Sequence, residues 1–416
     1  MNREFFFFLI IAFLILDFIV DNYFEIINFK HRLKPLPEKI QALFSLETNE
    51  KQLNYQKDNF RFGMIVGSIS SVFVILVVAF KVLPLIDNYL RLIIENEYLL
   101  TLTFFGLIFL LSFIFSTPLE WYQNFVIEEK YGFNKTTLRL FVVDKLKSLL
   151  LSVLLGGLLI FVLMWFYHQT QNLFWLYAWI FMSVFSIFMM LFYSNLIVPL
   201  FNKQKPIEEG ELKDAIMEFC KRAGFKLNDV YVIDSSKRST KTNAYFTGFG
   251  PKKRIVLYDN MMEKFTNEEI VAVLAHEIGH NKHRHTLYGL ITSLISSGIT
   301  LFLLGLLMNH PVLSKVLGND IASFHMSLLA FGLLYSPIEL IITPFSAILS
   351  RQHEYQADAF AAQYGYGTAL KSALVKLSAD NLSNLNPHPF YVWFYYSHPP
   401  VVARIEKVEK SDWVTK

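Results

Sequence analysis

The chain has 416 residues and a formal net charge of +3; 53% of it is hydrophobic, Phe alone contributes 41 residues, and only 18% is charged. Soluble domains carry about 25% charge, so much of this chain must be solvated by lipid, and the small net charge does not imply a nucleic-acid partner, a reading that needs a clustered basic face and a strongly basic domain. The one cysteine, Cys220, excludes an intramolecular disulfide and a cysteine-based metal site, leaving His and carboxylates to hold any metal.

The chain opens on Met-Asn-Arg-Glu and an apolar run from Phe5 to Leu16 that resembles a secretory leader. It lacks a small-residue cleavage site and stays apolar through Asp17 to Val20, which predicts a retained first span. Runs long enough to cross about 30 Å of hydrocarbon lie near 4–27, 62–86, 98–116, 146–167, 174–200, 286–308 and 322–348. Asp17, Asp21 and Asn22 interrupt the first, and Pro337, Glu339 and Pro344 the last. The expected fold is therefore mainly α, a polytopic membrane protein of about seven transmembrane helices.

Loop charge sorts the ends of these spans. The N-terminus and the segments around 87–97, 168–173 and 309–321 hold, with their flanks, only Arg3, Lys81, Arg91 and Lys315. The opposite side receives Lys30, Arg32, Lys34, Lys39, Lys51, Lys57 and Arg61, then Lys130, Lys135, Arg139, Lys145 and Lys147. Cytoplasmic loops are enriched in Lys and Arg, so that side is expected to be cytoplasmic, together with 201–285 and the tail after 350.

Between the fifth and sixth spans, 201–285 reads as a small α+β unit. Glu209 to Ala223 has helical spacing, and Val230–Ile233, Ala244–Phe246 and Arg254–Tyr258 are short β-branched or aromatic runs. Thr266 followed by Glu269 at the third helical position is a capping-box pattern that opens the next helix. The expected organisation is 1–200 with five spans, 201–285 as the catalytic unit, 286–350 with two spans, and 351–416 as a C-terminal region.

That capped helix carries His276-Glu277-Ile278-Gly279-His280. Histidines four apart project about 40° from one another on one helical face and can share a metal, while Glu277 between them can take a proton from water. Chance would give this pattern roughly 0.02 times in such a chain. The competing reading, an exposed polar face, fits poorly with the apolar Val271–Ala275 beside it. Catalytic zinc uses three protein ligands. His283 and His285 are close in sequence, but they read as exposed helix residues. Glu354 is the better third ligand, with Asp358 four residues on to orient a ligating imidazole; the bland alternative is a solvated acidic face.

The HEIGH helix, Arg351-x-x-Glu354-x-x-Ala357-Asp358, and Ser397-His398-Pro399-Pro400 followed by Arg404 together resemble the type I CAAX prenyl proteases. These are membrane zinc endopeptidases related to the heat-shock membrane proteases. Tyr131-Gly132-Phe133-Asn134-Lys135 and Asn243-Ala244-Tyr245-Phe246-Thr247-Gly248 look like further family signatures. The resemblance implies a chamber enclosed by the spans and a zincin-like catalytic unit at its cytoplasmic end, with one Zn2+ per chain. It also implies that Asn243 and Ala244 present an edge strand to an extended peptide, and that His398 and Arg404 hold substrate or stabilise the tetrahedral intermediate. A Ser-His-Pro-Pro run can equally be a plain turn. Intramembrane Glu339 has a functional and a packing reading of equal weight.

The resulting expectation is metal-assisted peptide hydrolysis with Glu277 as general base, on a peptide or protein partner that is prenylated. A broader quality-control protease with the same chemistry, and a transporter or receptor with a vestigial site, are the alternatives. The host membrane is either the bacterial inner membrane or the endoplasmic reticulum.

Overall fold

A computed structural model describes residues 3–36, 38–227, 229–247, 254–308 and 310–412. Gly248, the end of one motif, and the side chain of Lys39 lie outside the described residues.

Long helices dominate: Arg3–Arg32, Leu46–Ala79, Glu97–Tyr122, Leu138–Thr170, Phe174–Leu196, His285–Met308 and Phe324–Gln363. Three begin at residues suited to satisfy orphan backbone donors. Ser45 accepts from Thr48 N–H, Asn96 from Leu99 N–H and Thr137 from Leu140 N–H, at 3.1, 3.0 and 3.2 Å. Among the described residues five stretches can cross a membrane by length and apolarity, and the 64-residue stretch Leu138–Phe201 among them contains two long helices joined by the turn Gln171–Leu173. The first helix falls outside that set, and it carries Asp17, Asp21 and Glu25. Two of these acids have partners: Tyr395 donates to Asp21 and Tyr391 to Glu25, each at 2.7 Å.

Large apolar side chains such as Ile65, Ile69, Phe73, Phe115, Ile295 and Ile299 point outward from these helices, a surface only lipid can solvate. Pro118 removes one ladder donor inside the helix Glu97–Tyr122, and the chain continues from that helix into the π-helical turn Gln123–Glu128. Pro337 and Pro344 do not end the last long helix, which runs 40 residues from the expected span straight through Glu354 and Asp358.

Contacts sort the helix ends into two groups. Arg3 lies 3.5 Å from Asp320, so the N-terminus and the 309–321 loop share an end. There a buried polar network ties three segments together. His325 bridges Thr101 and Asp87 at 3.2 and 2.8 Å, Asn319 also donates to Asp87, and Arg91 joins Asp87 to Glu97. At the other end Asn386 donates to the carbonyls of His31 and Lys34, which places the C-terminal region beside the first basic loop.

The small unit is a four-stranded mixed sheet in the order β1-β2-β4-β3, with β1 Gln204–Pro206, β2 Asp229–Ile233, β3 Ala244–Thr247 and β4 Arg254–Tyr258. Strand β4 is parallel to β2 and antiparallel to β3, so β3 is an edge. Ile255, Leu257 and Ala244 pack with Ile270, Leu274 and Ile278 of the helix Asn267–Lys282, and Ile216 and Phe219 of Glu211–Arg222 close the same core. The segment leading into β3 is clamped by the 131–135 motif. Lys135 N–H donates to Arg238 O and Thr240 N–H to Phe133 O, both at 3.0 Å, and Lys241 reaches Glu128 at 2.7 Å.

Candidate metal centre

The helix Asn267–Lys282 starts with a complete capping box, Thr266 accepting from Glu269 N–H and Glu269 accepting from Thr266 N–H. Glu269 also accepts from Ser372 and Lys376, each at 2.6 Å. Burial would raise its pKa, but these donors win and hold the carboxyl below its usual range. The apolar face from Ile270 to Ala275 is buried, and this fixes the rotation of the helix so that His276 and His280 face the helix Phe324–Gln363. Gly279 permits the close approach: a Cβ there would lie 3.0 Å from Ala357 Cα.

At this crossing His276 Nε2 and His280 Nε2 are 3.1 Å apart, and Glu354 oxygens lie 3.5 and 3.3 Å from them. Their three ligand atoms fall within 4.8 Å of one another. Glu354 Oε2 is buried and takes no hydrogen bond, although Arg404 Nη1 lies 3.3 Å away. A buried carboxylate with one oxygen left without a donor, beside two imidazole nitrogens, is an acceptor set that suits a divalent cation.

The remaining sequence-predicted residues gather around this cluster, except for those of the edge strand. Asp358 Oδ1 stands 2.9 Å from His276 Nδ1. Arg404 donates twice to Asp358, from Nε at 2.9 Å and Nη2 at 2.6 Å. Burial would lower the pKa of Arg404, but Asp358, Glu354 and Glu277 raise it, so the guanidinium remains charged. His398 Nε2 lies 3.3 Å from Glu354 Oε1 with its side chain 66% exposed, and Glu277 is half-buried beside the pair of histidines. Asn243 and Ala244 lie at the start of edge strand β3, where Ala244 N–H donates to Asn243 Oδ1 at 2.8 Å.

Two features were not expected from the sequence. Arg351 donates to the carbonyls of Val392 and Tyr396, closing the end of the short helix Pro389–Tyr395 and holding the turn that carries His398. His285, expected to be an exposed helix residue, is instead buried behind His280, because the chain turns sharply at Arg284. His283 is exposed, as expected.

Below the cluster, a cavity of about 770 Å³ is lined by His285, His353, Ser293, Ser296 and Thr300 among others. An adjoining one of about 600 Å³ shares Ser296, Ser346 and Ser350 and reaches Glu339, Tyr395 and Ser397. Glu339 thus faces hollow space inside the helix bundle.

A lipid-solvated helical bundle with internal cavities, joined to a sheet-and-helix unit bearing a two-histidine, one-glutamate cluster, defines a membrane metallopeptidase. Residues 25–203 match the CAAX prenyl protease N-terminal region of five membrane helices, and residues 206–412 match peptidase family M48. A CAAX prenyl protease 1 homolog of Oryza sativa subsp. japonica is 34% identical over 412 residues, 97% of each chain. CAAX prenyl protease 1 of Saccharomyces cerevisiae is 36% identical over 325 residues, covering 74% of this chain and 72% of that one. The crystal structure of S. mikatae Ste24p superposes with a TM-score of 0.92 at 31% identity, covering 97% of this chain and 99% of that chain. The chain belongs to the type I CAAX prenyl protease family of M48 metalloendopeptidases. It is an integral, multi-pass membrane enzyme, and its family implies a metal.

Proposed function

We propose that the chain is a zinc endopeptidase that removes the C-terminal tripeptide of prenylated CAAX substrates, with His276, His280 and Glu354 holding one zinc ion and Glu277 as general base. The observation that carries the metal site is the convergence of three donor atoms within 4.8 Å around a buried, unbonded Glu354 oxygen. The similarity to CAAX prenyl protease 1 relatives supports the substrate.

Zinc, when bound, polarises the scissile carbonyl and makes a water acidic enough to attack at neutral pH. Glu277 takes the proton of that water and delivers it to the leaving amine. Asp358 accepts the Nδ1 proton of His276, which leaves the Nε2 lone pair for the metal. Arg404 is committed to Asp358 through two donors, so it holds that carboxylate and faces Glu354 with Nη1. His398, largely exposed, is then the side chain best placed to meet the developing oxyanion. Strand β3 offers its free edge to an extended substrate from Asn243 and Ala244.

The seven long helices are read as seven spans, with five in 1–200, two in 286–350, and the 201–285 and 351–416 regions on the cytoplasmic side. The eukaryotic relatives favour the endoplasmic reticulum as host membrane. Incubating purified enzyme with a farnesylated and an unprenylated peptide of the same CAAX sequence, and mapping products by mass spectrometry, tests the substrate. The expected result is tripeptide release from the farnesylated peptide at a much higher rate. Equal rates and scattered cleavage sites would favour the quality-control reading.

A further inference from the structure

His280 has two ring nitrogens with different duties. Nε2 faces His276 Nε2 and Glu354, so in the ligand set proposed above it must present a lone pair. Its proton therefore sits on Nδ1, which lies 3.0 Å from His285 Nδ1. Two nitrogens at that separation bond only when one carries the proton and the other a lone pair. His285 Nδ1 is thereby the acceptor, and the proton of His285 falls on Nε2. That atom is 2.8 Å from Gln356 Oε1, which can only accept. Every proton along the line His280, His285, Gln356 is assigned by the next partner.

We infer that His285 is the positioning residue for the ligating imidazole of His280, with Gln356 fixing the tautomer in which it acts. The two metal-facing imidazoles then differ: His276 leans on the carboxylate of Asp358, whereas His280 leans on a neutral imidazole. A carboxylate, itself paired with Arg404, thus stands behind one ligand only.

The backbone explains how His285 arrives there. Helix Asn267–Lys282 stops, Arg284 takes a left-handed conformation with φ 59°, and a new helix starts at His285. A non-glycine residue adopts that region only under strain. The turn redirects the chain and brings His285 back beneath His280 rather than letting it follow the outward face. There it is 6% exposed and stacks on His353 with ring centroids 4.0 Å apart.

The inference rests on the proposed ligand set, and the test separates the two. Zinc affinity is measured by chelator competition on full-length protein in nanodiscs, for wild type, His280→Ala, His285→Phe, His285→Asn and Gln356→Leu. His285→Phe keeps an aromatic ring against His353 but no acceptor, while His285→Asn places an amide oxygen near the lost Nδ1. Partners of this kind are worth about 10- to 100-fold in metal affinity. The expected result is that loss in His285→Phe, a smaller loss in Gln356→Leu, and near-wild-type affinity in His285→Asn. Absorption spectra of the cobalt-substituted forms should shift in His285→Phe and be restored in His285→Asn. Folded His285→Phe protein with wild-type affinity and an unshifted spectrum would overturn the inference, as would equal losses in Phe and Asn variants. Full zinc binding by His280→Ala would instead overturn the ligand set itself.

Discussion

In the proposed mechanism two glutamates at the centre divide the chemistry. Glu354 is buried between the histidines, while Glu277 is half-buried and stands outside the trio of converging atoms. Glu277→Gln should lower turnover by at least about 10²-fold, the scale of a lost general base, while leaving metal content intact. Parallel rates and metal contents of the purified variant check this, and a near-normal rate would remove Glu277 from the base role. The histidine pair and Glu277 were legible in sequence because their geometry is local, four residues on one helix. Glu354 and Asp358 were legible through their own i,i+4 pairing and the family pattern. His285 and Gln356 were not, because the contact depends on a left-handed turn at Arg284 that no spacing rule anticipates. Arg351 was readable as part of a motif, yet what it grips, the carbonyls of Val392 and Tyr396, exists only after the C-terminal region has folded back.

At the scale of elements, the site depends on how closely two helices cross. Gly279→Ala forces a methyl against the Ala357 backbone at 3.0 Å, and overpacking of this kind costs about 1–3 kcal/mol. The variant should unfold at lower temperature and bind metal more weakly, since separating the helices moves Glu354 from the histidines; unchanged thermal unfolding would show that the crossing tolerates a wider gap. Edge strand β3 supplies a second test. Pro at Ala244 would remove the donor that now holds Asn243 Oδ1 and would restrict Asn243, distorting the edge strand, so Ala244→Pro should weaken peptide turnover while zinc content survives. A folded variant cleaving at the normal rate would move substrate binding elsewhere. The capping box gives a pH prediction. The Glu269 carboxyl titrates below its usual range in the folded protein, so its stabilisation is complete above the unfolded pKa and is lost as pH falls through the folded one. The thermal-stability gap between wild type and Glu269→Gln should be widest near neutrality and close below about pH 4. The strands β2, β3 and β4 were visible as β-branched runs, whereas β1, a three-residue Gln-Lys-Pro edge, carries no such pattern. The prolines of the last span read as interruptions, but the 40-residue helix continues through both, as membrane helices can when surrounding groups re-satisfy the freed carbonyls.

For the whole molecule, the proposed seven-span arrangement puts the Arg3–Asp320 contact at one membrane face and the contacts of Asn386 with His31 and Lys34 at the other. Introduced cysteines at positions 315 and 410 should therefore react with an impermeant maleimide from opposite faces of sealed vesicles. The native thiol does not interfere, because Cys220 is 2% exposed and burial pushes its pKa up to about 11. Labelling of both sites from the same face would contradict the seven-span arrangement. Composition revealed the bundle because lipid-facing surfaces leave an unmistakable excess of apolar residues. The cavities lined by Ser296, Ser346 and Ser350 left no comparable trace, since scattered serines in an apolar helix have no period of their own.

The most direct test of the account is zinc per chain, measured by elemental analysis on wild type, Glu277→Gln and Glu354→Ala purified side by side. Assignment of Glu354 as ligand and Glu277 as base predicts about one zinc in the first two and almost none in the third. Full occupancy in Glu354→Ala, or loss of zinc in Glu277→Gln, would contradict it.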